Sequence, residues 1–294
     1  MEIVFGADVP VREKSFGTQI RPGNTRRQAL LSANAPDGLS FAVNRTEWLG
    51  GDETNTTPRH NHPFQQIRWA ETGRVNIAPG QDICPGDIAY VPRAAWYGPQ
   101  LRDQGISVTL QFGFNGEKQH GTPYWDGFQA EAMERLRARG TFEGGYYYET
   151  DPQTNERRRL DGVDALYQEQ YMLATGKPFV VEPEAYNDAI LMHIDAFDYD
   201  ESVPRVAIKR LGCFYDHPGS NGDIRLNQLR LSAGGSHNLG DERAQIGWTL
   251  TDGLEVDGKV YPASTYFYIP RDEATTFGSV STTELLLFEM PRLD

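Results

Sequence analysis

The sequence predicts an all-β protein of two strand-rich halves with a helical insertion between them. Three observations carry the prediction. Short apolar runs recur along both ends of the chain, each bounded by glycine, proline, asparagine or aspartate. The 30 glycines and 18 prolines supply turns between many short strands. A central stretch, residues 115–200, changes to helical periodicity.

In residues 1–56 the runs Ile3 to Phe5, Gln28 to Leu31 and Leu39 to Val43 are separated by Arg21-Pro22-Gly23-Asn24 and Ala35-Pro36-Asp37-Gly38, both strong turn signals. Gly50-Gly51-Asp52 then opens a polar loop. Phe64 to Ala70, Arg74 to Ile77, Ile88 to Val91 and Ile106 to Phe114 read as strands. In the middle, Asp126 to Arg139 sets Phe128, Ala132, Met133 and Leu136 on one helical stripe, with Gly140 as its stop. Asp161 to Thr175 does the same with Val163, Leu166, Tyr167, Gln170 and Tyr171. Asp161 can cap that helix, and Gly176 with Pro178 ends it. Between the two lie Tyr146-Tyr147-Tyr148 and a polar turn, Asp151 to Arg159, whose Arg157-Arg158-Arg159 reads as a solvated loop. The insertion covers a barrel mouth or packs against a sheet edge. Strands return at Arg205 to Tyr215, Ile224 to Ser232, Gln245 to Thr251, Thr265 to Ile269 and Glu284 to Glu289. The expected division is a first barrel over 1–118, the insertion over 119–200 and a second barrel over 201–294.

Composition bounds the partners. A chain of 294 residues with 14 Phe, 14 Tyr and 5 Trp can fill two cores. Its formal charge of −13 argues against nucleic acid and anionic membrane surfaces. Two cysteines, Cys84 and Cys213, make no disulfide framework. The first residues lack a signal-peptide core, and no run approaches the length of a membrane span. The expectation is a cytoplasmic protein acting on a small molecule.

The chemistry concentrates between Thr57 and Gln100. Side chains two apart on a strand share a face, so His60, His62 and Gln66 would project into one cavity. Two such imidazoles can both reach a divalent ion, at about 2.0–2.1 Å. A second block brings another side chain from a neighbouring strand: Gly86-Asp87, the run Ile88 to Val91, Pro92 and Tyr97. Arg68 shares parity with Gln66. A buried arginine there needs a carboxylate, of protein or of substrate.

Together these blocks resemble the two motifs of the cupin superfamily. His60, His62, Gln66 and Gly73 match the first, with Gln66 in place of the usual glutamate. Gly86 and Pro92 match the second, with Ala94 in place of a glycine and Tyr97 where a histidine usually stands. The resemblance implies two jelly-roll barrels, a bicupin. It implies a metal set of His60, His62, Gln66 and Tyr97 for a divalent transition metal such as Fe, Mn, Ni, Cu or Zn. It also implies a quercetinase-like dioxygenase acting on a small aromatic or enolisable molecule. The alternative is a cupin isomerase, lyase or polyketide cyclase without redox chemistry, in which Tyr97 and Arg68 orient an enol; a third is a non-catalytic binding protein. His120, just after the first barrel, is a candidate acid or base. A homodimer through a sheet edge is a family expectation. The second half looks like a degenerate repeat, with Gly253 standing for Gly73, Pro270 for Pro92 and Thr275 for Tyr97. His237 and Glu242 do not make a metal set, so this barrel serves packing, dimerisation or a secondary ligand. His193 reads as a core or strand histidine and His217 as a turn residue.

Overall fold

The computed structural model describes residues 1–14, 20–21, 23–49, 55–102, 105–114, 127–180, 186–215 and 223–292. Two seven-stranded antiparallel sheets form the frame. The first runs, edge to edge, through Ile190–Met192, Ile88–Val91, Gln65–Gly73, Gly105–Gly113, Ser40–Leu49, Asn24–Asn34 and Arg12–Lys14. The second runs through Glu2–Phe5, Thr265–Ile269, Gln245–Thr249, Thr283–Glu289, Asp223–Leu231, Val206–Tyr215 and Asp200–Val203. Smaller sheets complete each half: Asn55–Thr57 with Gln100–Arg102 and Val75–Ala78 with Gln81–Ile83 in the first, and a four-stranded sheet holding Ser236–Leu239 and Thr275–Ser279 in the second.

Alternation along the Gln65–Gly73 strand shows how the halves join. Ile67 and Trp69 face a core that both sheets share, where Val43, Leu110 and Phe112 of the first meet Leu226, Ile246, Trp248 and Phe288 of the second. Trp69 and Trp248 stand 6.2 Å apart across it. Gln66, Arg68 and Ala70 face the opposite way, into the first barrel, whose apolar floor is Ala70, Val75, Ile77, Ile83, Ala89 and Val91. Both faces of this strand are therefore buried, which is why its pattern reads as a near-continuous buried run. The second barrel has its own floor of Leu229, Leu231, Leu254, Phe267, Phe277 and Leu287. Two strands cross the boundaries expected from sequence. Glu2–Phe5 pairs with Thr265 to Tyr268 in the second sheet, and Ile190–Met192 pairs with Ile88 to Tyr90 in the first.

The insertion holds the two expected helices, Gln129–Arg139 and Gly162–Thr175, packed around Ala132, Leu136, Tyr147, Ala165 and Leu166. The Asp161 carboxylate accepts from the Val163 and Asp164 amides, and Gly176 closes the second helix at φ 69°. The expected polar turn is a correction. Its last residues, Arg157–Asp161, form a strand in a sheet with Gly140–Glu143 and Tyr146–Thr150. Phe142, Tyr147 and Leu160 fall in one row and pack against the helices, while Arg157 and Arg159 lie over the rings of Tyr148 and Tyr146 at 4.6 and 4.7 Å.

Candidate active site

The histidine segment is held by backbone before any side chain matters. His60 and Tyr97 exchange amide–carbonyl bonds of 3.0 Å in both directions, and the Ala94 amide donates to His62 O at 2.8 Å. Gly98 makes this approach possible: at φ 93°, a Cβ there would meet Pro58 O at 3.0 Å. Ala94 sits in the left-handed region at φ 63°, the position where the motif favours glycine.

This pairing puts the Tyr97 hydroxyl at the centre of four polar side chains. His60 Nε2 lies 2.9 Å from it, His62 Nε2 2.8 Å, Gln66 Nε2 3.1 Å and Arg68 Nη2 3.2 Å. Tyr97, His60 and Gln66 are almost wholly buried. Hydrogen directions follow from partners that can act only one way. His60 Nδ1 donates to the Pro58 carbonyl at 2.7 Å, so in the neutral ring Nε2 carries the lone pair. The Tyr97 O–H therefore donates to His60 Nε2, and His62 Nε2 donates to the phenol oxygen. Arg68 has no acceptor, so the Gln66 oxygen takes its Nε and Nη2 at 3.2 and 3.1 Å, with Gln111 Nε2 at 3.5 Å. The Gln66 NH2 is thereby turned to Tyr97. His62 stacks on Phe64 at 4.6 Å.

Sheet register extends the site with residues the sequence reading missed. Asn44 pairs with Thr109 and Thr109 with Arg68, so all three share the interior face. Arg27, one strand further, donates from Nε to Asn44 Oδ1 at 3.0 Å. Burial pulls its guanidinium below the ordinary arginine value, with Tyr167 opposing. Among the described residues neither Arg27 nor Arg68 has a carboxylate partner. A usable signal was present in Thr109 and Gln111, which alternate with Val108, Leu110 and Phe112 and so had to face a polar interior.

The residues expected to bind metal are together, and their hydrogens decide what they can hold. A dication needs lone pairs. Gln66 Nε2 and Arg68 Nη2 present N–H groups, the phenol is spent on His60, and among the described residues no carboxylate joins them. Among the described residues no cluster of three or more His, Cys, Asp or Glu could hold a metal ion. As placed, this set does not fit a divalent metal; it suits an oxygen that carries or develops negative charge. Of the other expected residues, His120 and His217 lie outside the described residues. His193 is a correction: its side chain is 66 % exposed, 3.2 Å from Asp87, because its strand ends at Met192. Next to Tyr97, Trp96 is exposed and lies under Arg59. In the second barrel Leu239 pairs with Thr275 as His60 pairs with Tyr97, so an aliphatic side chain and a hydroxyl stand there instead.

No family model matches the chain. The uncharacterized HTH-type transcriptional regulator YijO of Escherichia coli (strain K12) is 26% identical over 195 residues, 63% of this chain and 66% of that protein, just under two thirds of its length. The described residues contain no helix-turn-helix, since a three-stranded sheet separates the two packed helices. Solved structures align over nearly the whole chain. A "putative dioxygenase" of Nostoc punctiforme superposes at a TM-score of 0.57 with 10% identity, covering 99% of this chain and 82% of that one. Oxalate decarboxylase of Bacillus subtilis superposes at 0.53 with 15% identity, covering 99% and 76%. The fold is thus that of a bicupin: two cupin barrels, all β apart from the helical insertion. The Mn(II) centres described for the Bacillus subtilis protein are that protein's, and at this identity the likeness carries the fold. Among the described residues no helix is long and apolar enough to cross a membrane.

Proposed function

We propose that this bicupin is an enzyme that moves a proton on a small enolisable carboxylate held in the first barrel. The observation that carries the reading is the Tyr97 hydroxyl, which donates to a lone pair on His60 while three N–H groups point at its oxygen. His60 can take the phenol proton. His62, Gln66 and Arg68 hold the charge left on the oxygen, and that oxygen can then remove a proton from the carbon beside a carbonyl. Return of the proton to a neighbouring atom completes an isomerisation or tautomerisation. Arg27 and Arg68 explain the carboxylate: each is a cation on the barrel's interior face without an anionic partner among the described residues. The test is hydrogen–deuterium exchange at the α-carbon of a panel of 2-oxo and 3-oxo carboxylates in D2O, followed by proton NMR. Catalysed exchange on at least one acid is expected; none across the panel contradicts the reading.

A second reading is a metal-dependent, dioxygenase-like enzyme, in line with the Nostoc punctiforme neighbour. The His60 tautomer favours it, since a ring that donates from Nδ1 keeps Nε2 for a ligand. His60, His62 and an ionised Tyr97 would hold the ion, with Gln66 turned over. This reading predicts stoichiometric Fe, Mn, Ni, Cu or Zn in protein purified without chelator, and oxygen uptake with substrate. A homodimer belongs to the proposal as a family expectation, checked by sedimentation.

A further inference from the structure

We propose that the second barrel holds a ligand site of its own, for a small organic acid with an apolar body and a hydroxyl group. Its mouth is a cavity of about 470 Å³, within the range of small-molecule sites. The floor is Ile208, Leu229 and Leu287; the rim carries Arg210, Arg225, Asn227, His237 and Glu289.

Register places this cavity where the first barrel keeps its site. Gln66 pairs with Gln111, and Gln111 with Ala42; in the second barrel Gln245 pairs with Glu289, and Glu289 with Arg225. A carboxylate and a guanidinium thus stand where the first barrel has a carboxamide and a methyl group. Leu239 and Thr275, in place of His60 and Tyr97, bring no cluster of polar groups to the centre.

The rim dictates the ligand. Arg225 gives Nε to Asp223 at 2.5 Å and sets one terminal nitrogen 3.6 Å from Glu289 Oε2, and Arg210 gives one terminal nitrogen to Asp200 at 2.8 Å; neither guanidinium uses all its N–H groups in these contacts, so each keeps donors for an anion. Glu289 accepts from Asn227 at 3.0 Å on one oxygen, and its other oxygen, ion-paired with Arg225 at a distance too long for a hydrogen bond, can accept from a hydroxyl. His237 makes no hydrogen bond among the described residues, and burial lowers its pKa, so it meets a ligand as a neutral ring. An apolar floor under this rim selects a flat or compact hydrocarbon body over a fully polar metabolite.

The experiment uses the full chain carrying Tyr97→Phe, Arg27→Gln and Arg68→Gln, so that the first barrel no longer contributes. Salicylate is titrated by calorimetry, with benzoate as the analogue lacking the hydroxyl. One salicylate per chain is expected, bound more tightly than benzoate. Arg210→Gln, at a side chain 68 % exposed and safe for folding, should weaken it about tenfold, and so should His237→Leu. Absence of salicylate binding at millimolar concentration, or binding unchanged in both variants, would overturn the proposal. Because the first site is disabled throughout, failure here leaves the proton-transfer reading untouched.

Discussion

At the residue scale the site turns on one oxygen. Replacing Tyr97 with Phe deletes the atom on which four side chains converge, and should lower catalysed exchange by about 10²–10⁴-fold. Arg27→Gln removes a charge without touching Tyr97, so it should raise KM with kcat little changed; steady-state kinetics on the same acid separate the two. Ala94 offers a test of the local backbone. At φ 63° an alanine is strained where glycine is not, so Ala94→Gly should stabilise the protein by about 1 kcal/mol in denaturant unfolding. Much of this was legible in advance. Strand parity put Gln66 and Arg68 on one face, whereas His60 and His62 precede that strand and reach the site through the bridge from His60 to Tyr97, the residue that the Gly86 and Pro92 landmarks pointed to. The direction of each hydrogen was not legible, because it depends on Pro58 O and on the competition of Arg68 for the Gln66 oxygen. That detail turns a metal-type motif into an oxygen-holding one. Arg27 and Asn44 escaped because they lie in strands far from the motif and belong to no spacing pattern.

At the element scale, periodicity located both helices of the insertion, and Asp161 caps the second as its sequence position implied. The intervening sheet was missed because Arg157-Arg158-Arg159 is polar and has no apolar alternation; its strand is held by Leu160 inside and by stacking on tyrosines outside. Asp161 has a second role that the sequence concealed. It receives Arg21 at 2.6 and 2.5 Å, tying a segment of the first barrel, just ahead of the strand Asn24–Asn34, to the insertion. Asp161→Ala should therefore cost more than a cap's typical loss of about 1 kcal/mol, with helix signal and barrel unfolding together in circular dichroism. The strand Asp223–Leu231 gives a pH prediction. Burial alone would push the Asp223 carboxyl up, but hydrogen bonds from Arg225, Arg243 and Cys213 outweigh it and hold the group well below the usual carboxylate range. A carboxyl depressed in the folded state stabilises above its unfolded value, near 4, and that contribution fades as pH falls further. Thermal unfolding should show stability declining below about pH 4, and Asp223→Asn should flatten that decline while lowering stability at pH 7.

At the scale of the whole molecule, the two barrels share one core and should behave as one cooperative unit. Trp248 is 1 % exposed and packs against Trp69 across the junction and against Tyr266 and Phe288 of its own sheet. Trp248→Ala should cost about 3–5 kcal/mol, with a single transition retained in calorimetry. Two transitions would mean that the barrels fold separately. The division of labour also belongs to this scale. Both barrels have the same ladder, but one carries imidazoles, a phenol and two guanidiniums without a carboxylate partner among the described residues, and the other a cavity rimmed by arginines, a carboxylate and an imidazole. The doubling of the barrel was legible from Gly253 and Pro270, whereas the exchange of Glu2–Phe5 into the second sheet was not, since a four-residue strand says nothing of its partner.

The central claim is that Tyr97, paired with His60, moves the proton without help from a metal. It is tested most directly by α-proton exchange on the most reactive acid of the panel, comparing wild type with Tyr97→Phe, each before and after dialysis against chelator with elemental analysis of both. Exchange should survive chelation in the wild type and be lost in Tyr97→Phe. Exchange that disappears with the metal and returns on its restoration, or that persists undiminished in Tyr97→Phe, would contradict it.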